Sequence, residues 1–321
     1  MRIGVVGAGG IGGFLAAALA RAGVPVAIVA RGEHLAAIRR HGLRVESDLG
    51  RFATHVDASD ALHELGEFDA LLMTFKAHHW SGLLAQLERF AGTSTTIVTL
   101  QNGLPFWYVR EPSLRSVDPG GRIGRLFGDD QVVGGVVHVS GSVVEPGAIR
   151  QTGGLRYLFG APQGGPSERV DALVEVMRSA GLAAEADANI RESVWLKLVN
   201  NAGLNPVSVL RNATIAPMLS DAASRIEVRR LMSEALQVGR AMGVVSNVDI
   251  DARIDYAARL DDVKTSMLQD YERGRALELE PILGAVIELA ERYAVQVPNL
   301  RTSYGALRRA PAQTVAAEAD R

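Results

Sequence analysis

Lys197, Asn201 and Asn205 recur every four residues within Val194-Trp-Leu-Lys-Leu-Val-Asn-Asn-Ala-Gly-Leu-Asn-Pro206. On a helix, that spacing lines up one amine and two carboxamides along one face. Apolar Val194, Leu196, Leu198 and Val199 form a row beside it. The arrangement suits a polar substrate laid against a hydrophobic core. Pro206 lacks an N–H and is expected to bend the helix there. Farther on, Ser266-Met-Leu-Gln-Asp leads through Gly274 to Glu278. Gly274 should break the local helix, so that Glu278 enters from the start of the next one. A lysine and a carboxylate together supply a proton donor and its partner. On spacing alone, the first segment would also serve as a solvated helix face and the second as a charged helix end.

A second constellation opens the chain. The apolar run Ile3–Val6 meets Gly7-Ala8-Gly9-Gly10-Ile11-Gly12, and an alanine-rich stretch follows over residues 14–21. Strand, Gly-x-Gly-x-x-Gly and helix, in that order, are what a dinucleotide pyrophosphate site requires. Gly7 allows the tight turn, Gly9 the close approach of backbone to phosphate, and Gly12 the packing of helix on strand. The helix N-terminus supplies free N–H groups and the positive end of its dipole. A glycine-rich turn without a ligand would use the same triplet. The second strand at residues 25–30 favours the cofactor, with residues 7–12 as its contacts. That strand ends in Arg31, where an acid would favour NAD through the ribose diol. A guanidinium there offers a charged fork for a 2′-phosphate. NADP is therefore the expected cofactor, although Glu33 lies nearby. Lys76 and Asn102 follow two further strand candidates, and carboxyl ends of parallel strands are where ligands bind. They can reach cofactor phosphate, ribose or the nicotinamide side.

These residues need a frame. Strand signals at 3–6, 26–30, 70–75, 96–100 and 132–139 alternate with helical stretches at 13–22, 33–41 and 81–90. Alternation of this kind implies a mostly parallel sheet covered on both faces. Residues 43–46 and 52–55, around Asp48-Leu49-Gly50, look like an inserted hairpin. Segments 143–150 and 156–159 look like antiparallel additions at a sheet edge, with turns at Glu145-Pro146-Gly147 and Gly153-Gly154. Helical periods dominate from about residue 188, at 190–198, 222–242, 250–259 and 281–293. The expected fold is α/β: an N-terminal Rossmann-type doubly wound sheet, residues 1–187, which binds the cofactor, then an all-helical C-terminal domain, residues 188–321, which holds substrate and catalytic groups. Residues 110–130 form a long polar excursion of a kind that is often functional or mobile. The tail beyond Arg308 is expected to fray.

The 321 residues suffice for two domains, and 47% hydrophobic residues support two cores. With 34 Lys and Arg against 36 Asp and Glu, there is no basic track for nucleic acid. The absence of cysteine excludes disulfides, thiolate nucleophiles and thiolate metal sites. The seven histidines show no metal spacing. No Gly-x-Ser-x-Gly points to hydrolysis. The glycine-studded N-terminus does not read as a signal peptide, nor any other stretch as a membrane span. A cytoplasmic protein is expected.

Taken together, these motifs resemble the ketopantoate reductases (2-dehydropantoate 2-reductases). The resemblance runs over residues 1–293. It rests on the glycine motif, Arg31, Thr-Phe-Lys76-Ala, Gln-Asn102-Gly, Trp-x-Lys197-Leu-x-x-Asn201-x-x-x-Asn205-Pro, and Ser266-Met-Leu-Gln-Asp followed by Glu278. It implies NADPH-dependent reduction of a 2-keto acid, 2-dehydropantoate to pantoate in pantothenate biosynthesis. It implies Lys197 as proton donor to the keto oxygen. Glu278 would bind the substrate's far hydroxyl and assist Lys197. Asn201 and Asn205 would be hydroxyl ligands, Ser266 a carboxylate ligand, and Lys76 and Asn102 cofactor and active-site contacts. No metal is implied. The expected partners are the small 2-keto acid and, in a homodimer, a second copy of the chain. Leu279-Glu280-Pro281 departs from the Ile-Asp that usually follows the glutamate, which leaves the choice of keto acid open. A related dehydrogenase for another 2-hydroxy acid is the alternative. A non-enzymatic NADP-binding redox sensor is a third, against which the pairing of Lys197 with Glu278 argues.

Overall fold

The computed structural model describes residues 1–245, 248–259 and 263–310; the tail from residue 311 onward, expected to fray, lies outside them. The chain divides into two compact units. The first comprises Met1–Gln101, Pro105–Ser113 and Gly120–Arg191, and the second Asn102–Leu104, Leu114–Pro119 and Glu192–Arg321.

The first unit is a ten-stranded sheet with helices. In chain order it runs β1 (Ile3–Val6), α1 (Gly10–Arg21), β2 (Val26–Val29), α2 (Gly32–His41), β3 (Leu43–Ser47), β4 (Gly50–Thr54), β5 (Asp57–Ser59) and β6 (Ala70–Met73). It continues with α3 (Trp80–Leu87), β7 (Thr96–Thr99), α4 (Arg122–Leu126), β8 (Val132–Glu145), β9 (Ala148–Gly160), α5 (Glu168–Ser179) and β10 (Ala183–Ala186). The sheet order is β4-β3-β9-β8-β7-β6-β1-β2-β5, with β10 on β9. The strands from β8 to β5 are parallel. Strands β1, β2, β6 and β7 are buried along their whole length. Helices cover both faces of such a sheet, so its strands become continuous apolar runs. The chain leaves β1 in opposite directions to reach β2 and β6. Their carboxyl ends therefore flank a switch point, the place where ligands bind to open α/β sheets.

The hairpin of β3 and β4 is antiparallel, as expected, and docks in parallel on β9. Gly153 and Gly154 do not turn the chain. They lie inside β9, which runs unbroken opposite β8 with a register shift between His138 and Ser140. Gly154 has φ +71°, and a Cβ there would fall 2.1 Å from the His138 carbonyl oxygen. The pair marks a bulge, which needs glycine for the same reason a turn does.

The excursion at 110–130 is held partly by Glu288, which accepts from the N–H groups of Arg115 and Ser116, both at 3.0 Å, and partly by its own side chains. Arg110 donates to the carbonyls of Gly124 at 2.8 Å and Phe127 at 3.0 Å, and pairs with Asp129. Phe127 and Ile123 are buried.

The second unit contains α6 (Ile190–Arg211), α7 (Ile215–Ser220), α8 (Ala222–Ala241), α9 (Ile250–Ala258), α10 (Ser266–Glu272), α11 (Ala285–Arg292) and α12 (Pro298–Arg309). The division falls at Arg191/Glu192, within the first turn of α6. Ile190 stays with the sheet, because Gly134 and Gly160 leave room for its side chain. Helix α6 continues five residues past Pro206. It packs tightly on α8: a Cβ at Gly239 would meet Trp195 Nε1 at 2.1 Å, and one at Gly203 would meet Met232 at 2.5 Å. Trp195 donates to the Ala235 carbonyl at 3.2 Å. The buried Glu234 of α8 accepts from the backbone N–H groups of Asn299 and Leu300 at 3.0 and 2.8 Å. It thereby caps α12, which starts at Pro298. Among the described residues, no helix is long and apolar enough to cross a membrane, and no cluster of His, Cys, Asp or Glu could hold a metal ion.

Candidate active site

In the first unit, β1 delivers the chain into the glycine turn and α1 carries it away. Gly7 has φ +113°, and a Cβ there would fall 2.8 Å from the Phe75 nitrogen. Thr74 fastens the turn from β6 by donating its hydroxyl to the Gly7 carbonyl at 2.7 Å. The helix hydrogen bonds begin at Gly13 N–H to Gly9 carbonyl, 2.8 Å. The N–H groups of Gly10, Ile11 and Gly12 thus have no acceptor within the helix. Gly9 is exposed, and a Cβ there would meet nothing within 4 Å. At Gly12 a Cβ would collide with the Gly7 carbonyl oxygen at 2.0 Å and Thr74 Oγ1 at 2.3 Å. At Gly10 a Cβ would fall 2.2 Å from the Gly141 carbonyl oxygen of β8. The turn therefore has a closed inner side and an open outer side, with Ala8 part-buried between them.

Arg31 precedes α2 in extended conformation, is exposed, and forms no hydrogen bond or ion pair among the described residues. Lys76, part-buried, follows β6. His79 feels both: burial lowers its pKa first, and the charges of Arg31 and Lys76 lower it further. Three nitrogen bases thus share one sheet edge beside unsatisfied helix N–H groups, an arrangement that fits an anionic, phosphate-bearing ligand. His79 is no part of the motifs, and Thr74 enters them only as the first residue of Thr-Phe-Lys76-Ala, inside the expected strand at 70–75; the geometry of the turn is what assigns it work.

In the second unit, α6 carries Lys197, Asn201 and Asn205 one above another, as their spacing dictates. Lys197 and Asn201 are part-buried and Asn205 is buried. Asn205 Nδ2 has no hydrogen-bond partner among the described residues. Burial pulls the Lys197 pKa down to about 8, against the opposing charge of Glu278. Burial is the larger of the two causes, and the Glu278 charge only partly offsets it. Glu278 is buried, in the last loop position before the helix that starts at residue 279. Gly274, with φ +62°, ends the preceding helix.

Asn102 belongs with this unit. Its neighbour Gly103 has φ +80°, and a Cβ there would lie 2.4 Å from the Pro281 carbonyl oxygen. Leu104 N–H donates to that same carbonyl at 2.8 Å. Pro281 lies in a widened π turn, Glu280–Gly284, that leads into α11, and Glu280 accepts from the Tyr304 hydroxyl at 2.6 Å. Leu279-Glu280-Pro281 thus seats the Asn102 turn three residues from Glu278. Ser266 opens α10 with an exposed side chain, while Thr265 beside it meets Ser208 of α6, Oγ to Oγ, at 2.6 Å.

Two family models match the chain: one described as ketopantoate reductase PanE/ApbA over residues 3–164, the other as its C-terminal part over residues 189–310. A 2-dehydropantoate 2-reductase of Mesorhizobium japonicum is 40% identical, covering 96% of this chain and 97% of its own. A Ralstonia solanacearum crystal structure, described as a candidate ketopantoate reductase, superposes with a TM-score of 0.89 at 34% identity, over 96% of each chain. D-mandelate dehydrogenase in complex with NADH and anilino(oxo)acetate superposes with a TM-score of 0.83 over 96% of this chain and 97% of that one, but at 19% identity, which speaks for the fold alone.

Proposed function

The chain belongs to the ketopantoate reductase family of oxidoreductases, and on that premise we propose that it reduces 2-dehydropantoate to pantoate with NADPH. The observation that carries the reading is the row of Lys197, Asn201 and Asn205 along α6, with burial drawing the Lys197 pKa down to about 8 against the opposing charge of the buried Glu278. A reduced nicotinamide supplies hydride to the keto carbon, and the residues of the chain do the rest. Lys197 gives its proton to the keto oxygen, turning developing alkoxide into hydroxyl. Before transfer its charge stabilises that oxygen, an effect worth most where water is excluded. Glu278 keeps the ammonium form populated and accepts from a substrate hydroxyl. Asn205 Nδ2, buried without a partner, donates to the same substrate, as does the Asn201 amide one turn away. Ser266 adds a donor for the carboxylate, and Asn102 an amide beside Glu278. The cofactor fits the first unit's turn: its N–H groups and Gly9 meet the pyrophosphate, and Lys76 lies on the same edge.

Arg31 motivates NADPH over NADH. It is cationic, exposed and, among the described residues, unclaimed by any carboxylate, at the strand end where an acid would hold an unphosphorylated ribose. Arg31→Ala should cost NADPH about 1.5–3 kcal/mol of binding, the worth of a charge-assisted hydrogen bond, and NADH little. Equal affinity of the parent protein for both cofactors would overturn this preference. The function itself is tested by following oxidation of reduced cofactor with 2-dehydropantoate and a panel of other 2-keto acids. Leu279-Glu280-Pro281 seats the Asn102 turn, so it shapes the substrate end of the site. For that reason a different 2-keto acid is the second reading, and the best turnover in the panel decides between them.

A further inference from the structure

Helix α9 carries an arginine whose setting differs from that of its neighbours. Arg225 and Arg229 of α8 hold Asp255 and Asp251 of α9, and Arg211 holds Glu227. Asp251 and Asp255 are four residues apart and face the same way. Arg253 sits between them in sequence, about 200° round the helix from Asp251. Its own helix therefore turns both acids away from it. The Arg253 side chain is part-buried, and its hydrogen-bond partner among the described residues is a neutral amide: Nη1 donates to Asn200 Oδ1 of α6 at 3.3 Å. No carboxylate pairs with it among those residues. Desolvation pulls its pKa below the ordinary guanidinium value, and an arginine remains cationic even so. A part-buried guanidinium held by a neutral amide keeps its charge available to a ligand carboxylate, which would pair with it.

Asn200 gives the position its meaning. It lies three residues after Lys197 on α6, so the two Cβ atoms are about 5–6 Å apart. The amide that holds the guanidinium thus borders the same helix face as Lys197, Asn201 and Asn205.

We propose that Arg253, steered by Asn200, is a substrate-binding residue that receives a carboxylate of the 2-keto acid. A guanidinium suits this ligand because its planar fork matches carboxylate oxygens two at a time. The inference rests on the reading of the chain as a keto-acid reductase.

The test compares three substrates in the parent protein and in Arg253→Gln and Arg253→Lys: the best monocarboxylic 2-keto acid from the panel, its methyl ester, and a 2-keto diacid. Arg253→Gln should lower kcat/KM for the acid about 10- to 100-fold, the range of one charge-assisted bond. The loss should fall mainly in KM, leave the ester unaffected, and be partly restored by Lys. If Arg253 instead serves a second, distal carboxylate, the diacid alone loses by that factor, which also supports the subsite and identifies which group it holds. Cofactor affinity and melting temperature at parent values show that the variants are folded. Unchanged preference for acid over ester, together with unchanged diacid kinetics, in a folded Arg253→Gln would overturn the inference while leaving the reductase intact. A parent protein that turns over no 2-keto acid would instead overturn the reductase reading.

Discussion

Lys197→Ala is expected to lower kcat for keto-acid reduction by about 10²- to 10⁴-fold, the usual worth of a positioned proton donor, with cofactor affinity at the parent value. The loss belongs in kcat because the proton moves in the transition state. The parent's pH profile should show the same group. Only the ammonium form donates, so kcat/KM for reduction should be level below pH 8 and fall as pH rises through about 8, where Lys197 loses its proton. Oxidation of the hydroxy acid needs the neutral amine and should run in the opposite sense. Two causes set that pKa, burial lowering it and the Glu278 charge raising it. Glu278→Gln removes only the second, so the fall in kcat/KM should move to lower pH, with KM rising as well. Near-parent kcat in Lys197→Ala at saturating substrate would mean that the proton comes from elsewhere, Lys76 being the next candidate.

The glycine turn yields the second large effect, in the form of a contrast. At Gly9 a Cβ meets no heavy atom within 4 Å, and its φ of −73° suits alanine. At Gly12 a Cβ overlaps the Gly7 carbonyl oxygen at 2.0 Å. Gly9→Ala should therefore fold with the parent's melting temperature yet lose most of its cofactor affinity, because the methyl group occupies the face where phosphate approaches backbone. Gly12→Ala should lose cofactor affinity and stability together, by about 1–3 kcal/mol of overpacking, since α1 must back away from β1. Calorimetric titration of NADPH and thermal melting of both variants provide the comparison. Tight binding by Gly9→Ala would refute the pyrophosphate assignment.

What could be read in advance was what local sequence encodes. The turn at residues 7–12 and the row at 197, 201 and 205 are each specified by a single element, so spacing alone places them. The strand cores at 3–6, 26–29, 70–73 and 96–99 follow from continuous burial. Other features escaped for identifiable reasons. Strands β5 and β10 are three and four residues long and mostly unburied, so no alternation marks them. Helix α5 does carry a sequence signal: Val170, Leu173, Val174 and Met177 form a helical stripe, and all are buried. Gly153-Gly154 reads as a turn in sequence because a bulge makes the same demand on the backbone. Thr74, His79, Asn200 and Arg253 owe their settings to partners distant in sequence, which no spacing rule reaches. The same holds for the carbonyl of Pro281, whose contact with Leu104 joins segments 177 residues apart.

The Glu234 cap sets how much of the C-terminus the chain can lose. A truncation after Ala310 leaves the donors of α12 in place. A stop before Pro298 would strip the buried carboxylate of Asn299 N–H and Leu300 N–H at once. It would also strand the buried Glu234 of α8, at a cost above that of an ordinary lost hydrogen bond, about 1–3 kcal/mol for each unmet charged contact. The last helix is therefore a keystone of the second unit, and affinity tags belong beyond it.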